Sequence, residues 1–73
     1  MRNVEIQVEP VELYKVLKFE GLYASGGEAK AAVAAGQVTV NGETETRKRR
    51  KIVVGDMIVA DGEALLITGI APV

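Results

Sequence analysis

The stretch SGGEAKAAVAAGQVTVNG, Ser25 to Gly42, contains a helix start, a short helix, a glycine stop, a strand and a tight turn. Ser25 and Glu28 have the S-x-x-E spacing of a capping box, in which the serine oxygen accepts from the Glu28 amide and the glutamate reaches back to the serine amide. Ala29, Ala32 and Val33 recur at i, i+3 and i+4, so the helix has one face for a core. Gly36 stands where a left-handed C-terminal cap is expected, a conformation glycine adopts without steric penalty. Val38 and Val40 alternate with polar residues as in a half-buried strand, and Asn41-Gly42 is a hairpin signal.

Gly26-Gly27 fits this scheme least well. Each glycine costs about 1 kcal/mol against alanine inside a helix, and less in the first turn. One reading is that glycine starts the helix or packs against a neighbour. The other is access: bare first-turn amides and the positive end of the helix dipole face an incoming anion.

Outward from this stretch, Val4, Ile6 and Val8 alternate with polar residues, predicting a strand with one buried face. Glu9-Pro10 ends it, and Pro10 suits the first position of a helix. The segment Val11–Glu20 reads as that helix, with Leu13, Val16 and Leu17 inward, Phe19 assigned to the core and Gly21 as the stop. Tyr14 and Lys18 sit on its flank, as rim packing or as a ligand contact. A two-residue turn at Asn41-Gly42 sets Glu43 beside Val40 and Glu45 beside Val38, an odd pairing for a buried face; either the turn is longer or the face is shallow. Ile52–Val54, a bend at Gly55-Asp56, and two apolar runs flanking Asp61-Gly62 complete an antiparallel sheet, and Gly69–Val73 adds a last edge or frays. The fold class is α+β: two short packed helices against a small, mainly antiparallel sheet, in one domain spanning residues 1–73.

Composition narrows the function. Cysteine and histidine are absent, which removes disulfides, thiolate ligands, the commonest zinc ligand and the commonest general base. Asp56 and Asp61 sit beside turn glycines, where carboxylates cap backbone, and Ser25 has no neighbouring base. No catalytic set, metal site or cofactor is therefore expected. No apolar run approaches the ~20 residues of a membrane span, the N-terminus shows no secretory signal, and a cytoplasmic monomer without a small-molecule substrate is expected.

The net charge of −1 conceals a cluster: Arg47, Lys48, Arg49, Arg50 and Lys51 are consecutive. Charges beyond a Debye length of about 8 Å are screened, so a phosphate near this run meets mainly those cations. The bland alternative is a solvated hairpin whose cations pair with Glu43 and Glu45, but two carboxylates cannot balance five cations. Lys30 lies one helical turn after Gly26 and adds to the positive side, while Asn41 either contacts a base or sugar or occupies the positive-φ turn position.

Leu13, Leu17, Gly21, the run Ser25 to Lys30, Val33, Gly36, the V-x-V-N-G segment Val38 to Gly42, and Gly55-Asp56 together resemble the alpha-L RNA-binding motif, the RNA-binding domain of ribosomal small-subunit protein S-four. The match covers about Val11 to Val59. Lys18 to Gly21 (K-x-E-G), S-G-G-E-A-K, and Glu45 to Lys51 (E-T-R-K-R-x-K) are closer to the small stand-alone bacterial members. The resemblance implies a helix pair on a small sheet, with structured ribosomal or tRNA-like RNA along the helical face and adjoining loops. It places Ser25, Gly26, Gly27 and Lys30 at an RNA-facing helix start, and Lys18 with Arg47–Lys51 in the stand-alone signature. Many members carry arginine directly after the serine. Gly26 replaces it here, so amides and the basic loop must supply the grip. The expected function is non-catalytic recognition of RNA by shape and phosphate contact. A protein–protein adaptor with an acidic partner and a DNA-binding accessory protein are the alternatives. With two tyrosines and one phenylalanine, an aromatic stacking platform is not expected.

Overall fold

The computed structural model describes residues 1–71. Along the chain run β1 (Arg2–Ile6), β2 (Val11–Glu12), α1 (Leu13–Phe19), α2 (Gly26–Ala34), β3 (Val38–Val40), β4 (Glu43–Thr44), β5 (Lys51–Ile52), β6 (Met57–Ala60) and β7 (Glu63–Ile70). Five strands form one sheet in the order β1-β7-β6-β3-β4, and β2 and β5 form a separate two-stranded ladder. All pairings are antiparallel except β1 with β7. The two helices pack on each other and bury Leu13, Val16 and Leu17 from α1 and Ala29, Ala32 and Val33 from α2, with Val38, Ile58, Leu65 and Ile67 buried on the sheet.

Both helices stop as the glycines predict. The Gly21 amide donates to the Lys18 carbonyl (3.0 Å) and the Leu22 amide to Leu17 (3.1 Å), with Gly21 at φ 75°. Gly36 at φ 77° repeats the arrangement, its amide on Val33 (3.0 Å) and that of Gln37 on Ala32 (3.1 Å). These paired bonds satisfy the last-turn carbonyls. Asn41-Gly42 and Asp61-Gly62 form two-residue turns with positive φ at both positions, the geometry that matches strand twist.

Four expectations are corrected. Strand β1 ends at Ile6, leaving Val8 61% exposed. Pro10 does not open the helix: Glu9-Pro10 is cis, Val11-Glu12 pairs antiparallel with Ile52 and Lys51, and α1 begins at Leu13. Phe19 is not core. It lies two residues from buried Leu17, so the helical rotation turns it to the far side, where it is 71% exposed at the rim of a groove between β1 and α1. The Gly69–Val73 tail continues β7 through Ile70, and the Ala71 amide donates to the Ile6 carbonyl (2.7 Å); residues 72–73 lie outside the described residues.

Candidate nucleic-acid interface

The unresolved pairing after Asn41-Gly42 has a definite answer. The turn is two residues long, Glu43 sits opposite Val40 and is exposed, and the Glu45 amide donates to the Val38 carbonyl (2.9 Å). Glu45 is therefore carried inward and is only 6% exposed. An ionised carboxylate out of water needs partners, and the adjacent run supplies them. Its Oε2 accepts from the Arg47 amide (2.9 Å) and Arg47 Nε (3.0 Å). Its Oε1 accepts from Arg47 Nη2 (3.1 Å) and Arg50 Nη1 (2.9 Å). The side-chain bond from Arg47, then its amide, hold the Glu45 carboxyl at about 2, against desolvation that acts the other way. The same contact raises the Arg47 guanidinium.

The loop backbone does a second job. Helix α1 has no side-chain cap at Glu12, and instead the Leu13 amide donates to the Arg50 carbonyl (2.9 Å) and the Tyr14 amide to the Lys48 carbonyl (3.1 Å). Orphan amides of the first turn are thus met by carbonyls of the basic loop. Arg47, Lys48, Arg49 and Lys51 are exposed and Arg50 is half-buried. Arg49 has one carboxylate within reach, Glu12 at 3.9 Å.

Tyr14 connects this loop to the opening of α2. Lys30 Nζ stands 4.5 Å from the centre of its ring, within cation–π range. A Cβ placed on Gly26 would meet the same ring at 3.7 Å and Lys18 Cδ at 3.9 Å. Gly26 and Lys30 therefore lie against Tyr14, whose backbone is bonded to the basic loop, and Lys18 lies beside Gly26. Ser25 caps α2, its Oγ accepting from the Glu28 amide (3.2 Å). The Glu28 carboxylate accepts from the Ala24 amide (3.1 Å), one residue earlier than a reciprocal capping box requires. Gly27 is exposed beside Ser25, and a Cβ there would meet only Ser25 Oγ at 3.8 Å. Neither glycine has the positive φ that would demand it.

Asn41 is not part of this cluster by its bonds. It holds φ 54°, its Nδ2 donates to Asp56 Oδ1 (3.0 Å), and its Oδ1 accepts from the Met57 amide (2.9 Å). Its turn reading is the one the structure displays. Tyr14 and Glu45 carry more of the geometry than sequence reasoning gave them. The signal for Glu45 was the awkward register itself, since an acidic residue on an inward position beside a cationic run implies an internal ion pair. Among the described residues no His, Cys, Asp or Glu group is arranged to hold a metal ion, and no helix is long and apolar enough to cross a membrane.

Residues 4–68 match the family model described as the S4 domain. The chain belongs to the S4 domain family. Among S4-domain relatives, the Escherichia coli strain K12 protein named "Putative RNA-binding protein YbcJ" is 49% identical over 57 residues, covering 78% of this chain and 81% of the relative. The Bacillus subtilis strain 168 protein named "Probable ribosome maturation protein RlbA" is 36% identical over 59 residues, covering 81% and 83%. The solution structure of Escherichia coli YbcJ, described as revealing an alfaL motif involved in RNA-binding, superposes with a TM-score of 0.63 at 41% identity, over 96% of this chain and 85% of that one. The crystal structure of 30S ribosomal protein S4e from Thermoplasma acidophilum gives a TM-score of 0.59 at 26% identity, over 80% of this chain and 31% of that one. The fold expected from the alpha-L resemblance, two helices with a mainly antiparallel sheet, is the fold found.

Proposed function

We propose that this S4-domain protein is a non-catalytic binder of structured RNA, acting as a monomer in the cytoplasm, and that ribosomal RNA is its substrate class. The observation that carries this reading is the Tyr14 junction: the basic loop bonds to its amide, Gly26 and Lys30 lie against its ring, and Lys18 lies beside Gly26. Two positive features distant in sequence thereby make one rim along the helical pair. Phosphates seat against Lys48, Arg49 and Lys51 and against the Ser25–Gly27 opening of α2, and Lys18 and Lys30 flank the path between them. Recognition is by backbone shape, since the one aromatic ring in the rim is already covered by a lysine. The name of YbcJ supports RNA as the partner, and that of RlbA, a probable ribosome maturation protein, supports the ribosomal class.

The test is titration of a labelled ribosomal RNA hairpin at two salt concentrations, with a DNA duplex of matching sequence alongside. Replacing Arg49→Glu and Lys51→Glu together should weaken RNA binding and flatten the slope of log K against log salt by about 1.4–1.8, the loss of two phosphate contacts. Unchanged affinity and slope would refute the proposal and favour an acidic protein partner. Equal affinity for the DNA duplex would refute the RNA assignment.

A further inference from the structure

Glu45 is the one charged side chain in the buried set among the described residues, yet it stands beside five consecutive cations. Its carboxylate is bonded by two guanidinium groups, and the Arg47 side chain remains 74% exposed. Each guanidinium has five donors. Arg47 commits two of them to Glu45 and Arg50 commits one, and the remaining donors of both have no other partner among the described residues. Beyond them the loop forms an open concavity of about 480 Å³ lined by Arg47, Arg49, Arg50 and Lys51, with no carboxylate in its wall. The backbone behind it is pinned three ways: by the Arg50 amide on the Arg47 carbonyl (3.1 Å), and by the Lys48 and Arg50 carbonyls on α1.

We infer that Glu45 is a positioning residue, holding Arg47 and Arg50 as walls of a discrete socket in the basic loop that seats one phosphate group. This rests on the RNA-binding reading for the source of that phosphate, a backbone phosphate of the bound RNA. Four cations lining one open concavity repel each other and spread unless something anchors them. A carboxylate beneath two of them supplies the anchor, and charge-assisted bonds of this kind fix geometry as well as energy.

The inference makes a prediction opposite in sign to simple charge counting. Glu45→Gln adds one positive charge beside the socket, so bulk electrostatics alone would tighten anion binding. Loss of the anchor weakens it. Glu43→Gln makes the same charge change on an exposed residue of the same hairpin and leaves the socket intact. Arg50→Lys keeps the charge and removes the planar fork, and provides a second route should Glu45→Gln fold poorly.

The experiment titrates inorganic phosphate, and separately the RNA hairpin, into the wild-type protein and these three variants, following side-chain and amide resonances by NMR with a thermal melt of each. Saturable phosphate shifts at Arg47, Arg49, Arg50 and Lys51 are expected. Glu45→Gln and Arg50→Lys should each weaken phosphate and RNA about tenfold, a difference of ~1.4 kcal/mol, with Glu43→Gln unchanged or tighter. Tighter binding in Glu45→Gln, or phosphate shifts spread equally over Lys15, Lys18 and Lys30, would overturn the inference. A wild-type protein that ignores RNA yet shows the phosphate pattern and its Glu45 dependence would refute the RNA reading and leave the socket standing, with free phosphate as its ligand.

Discussion

Converting both Gly26 and Gly27 to alanine separates folding from access, because neither position is sterically closed. A Cβ at residue 26 would lie 3.7 Å and 3.8 Å from Tyr14 ring carbons and 3.9 Å from Lys18 Cδ, all ordinary van der Waals contacts. At residue 27 the nearest neighbour is Ser25 Oγ at 3.8 Å. Replacing glycine by alanine at a compatible site stabilises by about 0.4–1 kcal/mol, mainly by restricting the unfolded chain. The first turn realises part of that, so the double variant should gain about 1 kcal/mol and melt about 4–8 °C higher. Urea denaturation and a thermal melt by circular dichroism measure this directly. On the proposed binding mode the same methyl groups would stand between an RNA phosphate and the α2 amides, so affinity for the RNA hairpin should fall while stability rises. Destabilisation by more than about 1 kcal/mol would show that the glycines serve packing after all. A stabilised variant with undiminished RNA affinity would refute the access argument.

Three further outcomes follow from named contacts. The Glu45 carboxyl is lowered from 4.5 to about 2 on folding, so its stabilisation is complete above pH 4.5 and is lost as pH falls from there toward 2. The upper bound is ~3 kcal/mol, and with Arg47 largely in solvent about 1 kcal/mol is expected; urea midpoints against pH for the wild type and Glu45→Gln should converge at the acid end. Leu17→Ala should destabilise by about 2–5 kcal/mol, whereas Phe19→Ser should stay within ~0.5 kcal/mol, and comparable losses would contradict the helix facing described above. Asn41→Ala removes a tolerated positive φ together with the bonds to Asp56 and Met57, and should cost about 1–2 kcal/mol in urea denaturation with RNA affinity at saturating folded protein unchanged.

The parts of the fold that the sequence disclosed are those decided within a few residues. Ser25 as a cap, Gly21 and Gly36 as stops, and Asn41-Gly42 and Asp61-Gly62 as turns each depend on one local conformation that few residue types satisfy. Leu13, Val16 and Leu17 declared their face by spacing alone. What stayed hidden depends on distant partners. The pairing of Val11 with Ile52 is a two-residue ladder, too short to leave a periodic pattern, and it displaced the helix start from Pro10. Phe19 was drawn into the core by its hydrophobicity, although its helical phase points outward. Within the candidate site, the cationic run was plain in the sequence. Its internal anchor was visible only as a conflict, and the meeting of Gly26 and Lys30 at Tyr14 required the packing of two helices.

The parallel pairing of β1 with β7 carries a consequence for biogenesis. Arg2 aligns with Leu65 and Ile6 with Ile70, so β1 cannot form this pairing until β7, some sixty residues later, has been made. Closing so long a loop carries an entropic cost and defers the β1–β7 pairing until β7 has been synthesised. A nascent chain truncated after Gly62 should accordingly remain protease-sensitive and acquire protection only when β7 is supplied. Early protection would show that the helices and β3 fold without it.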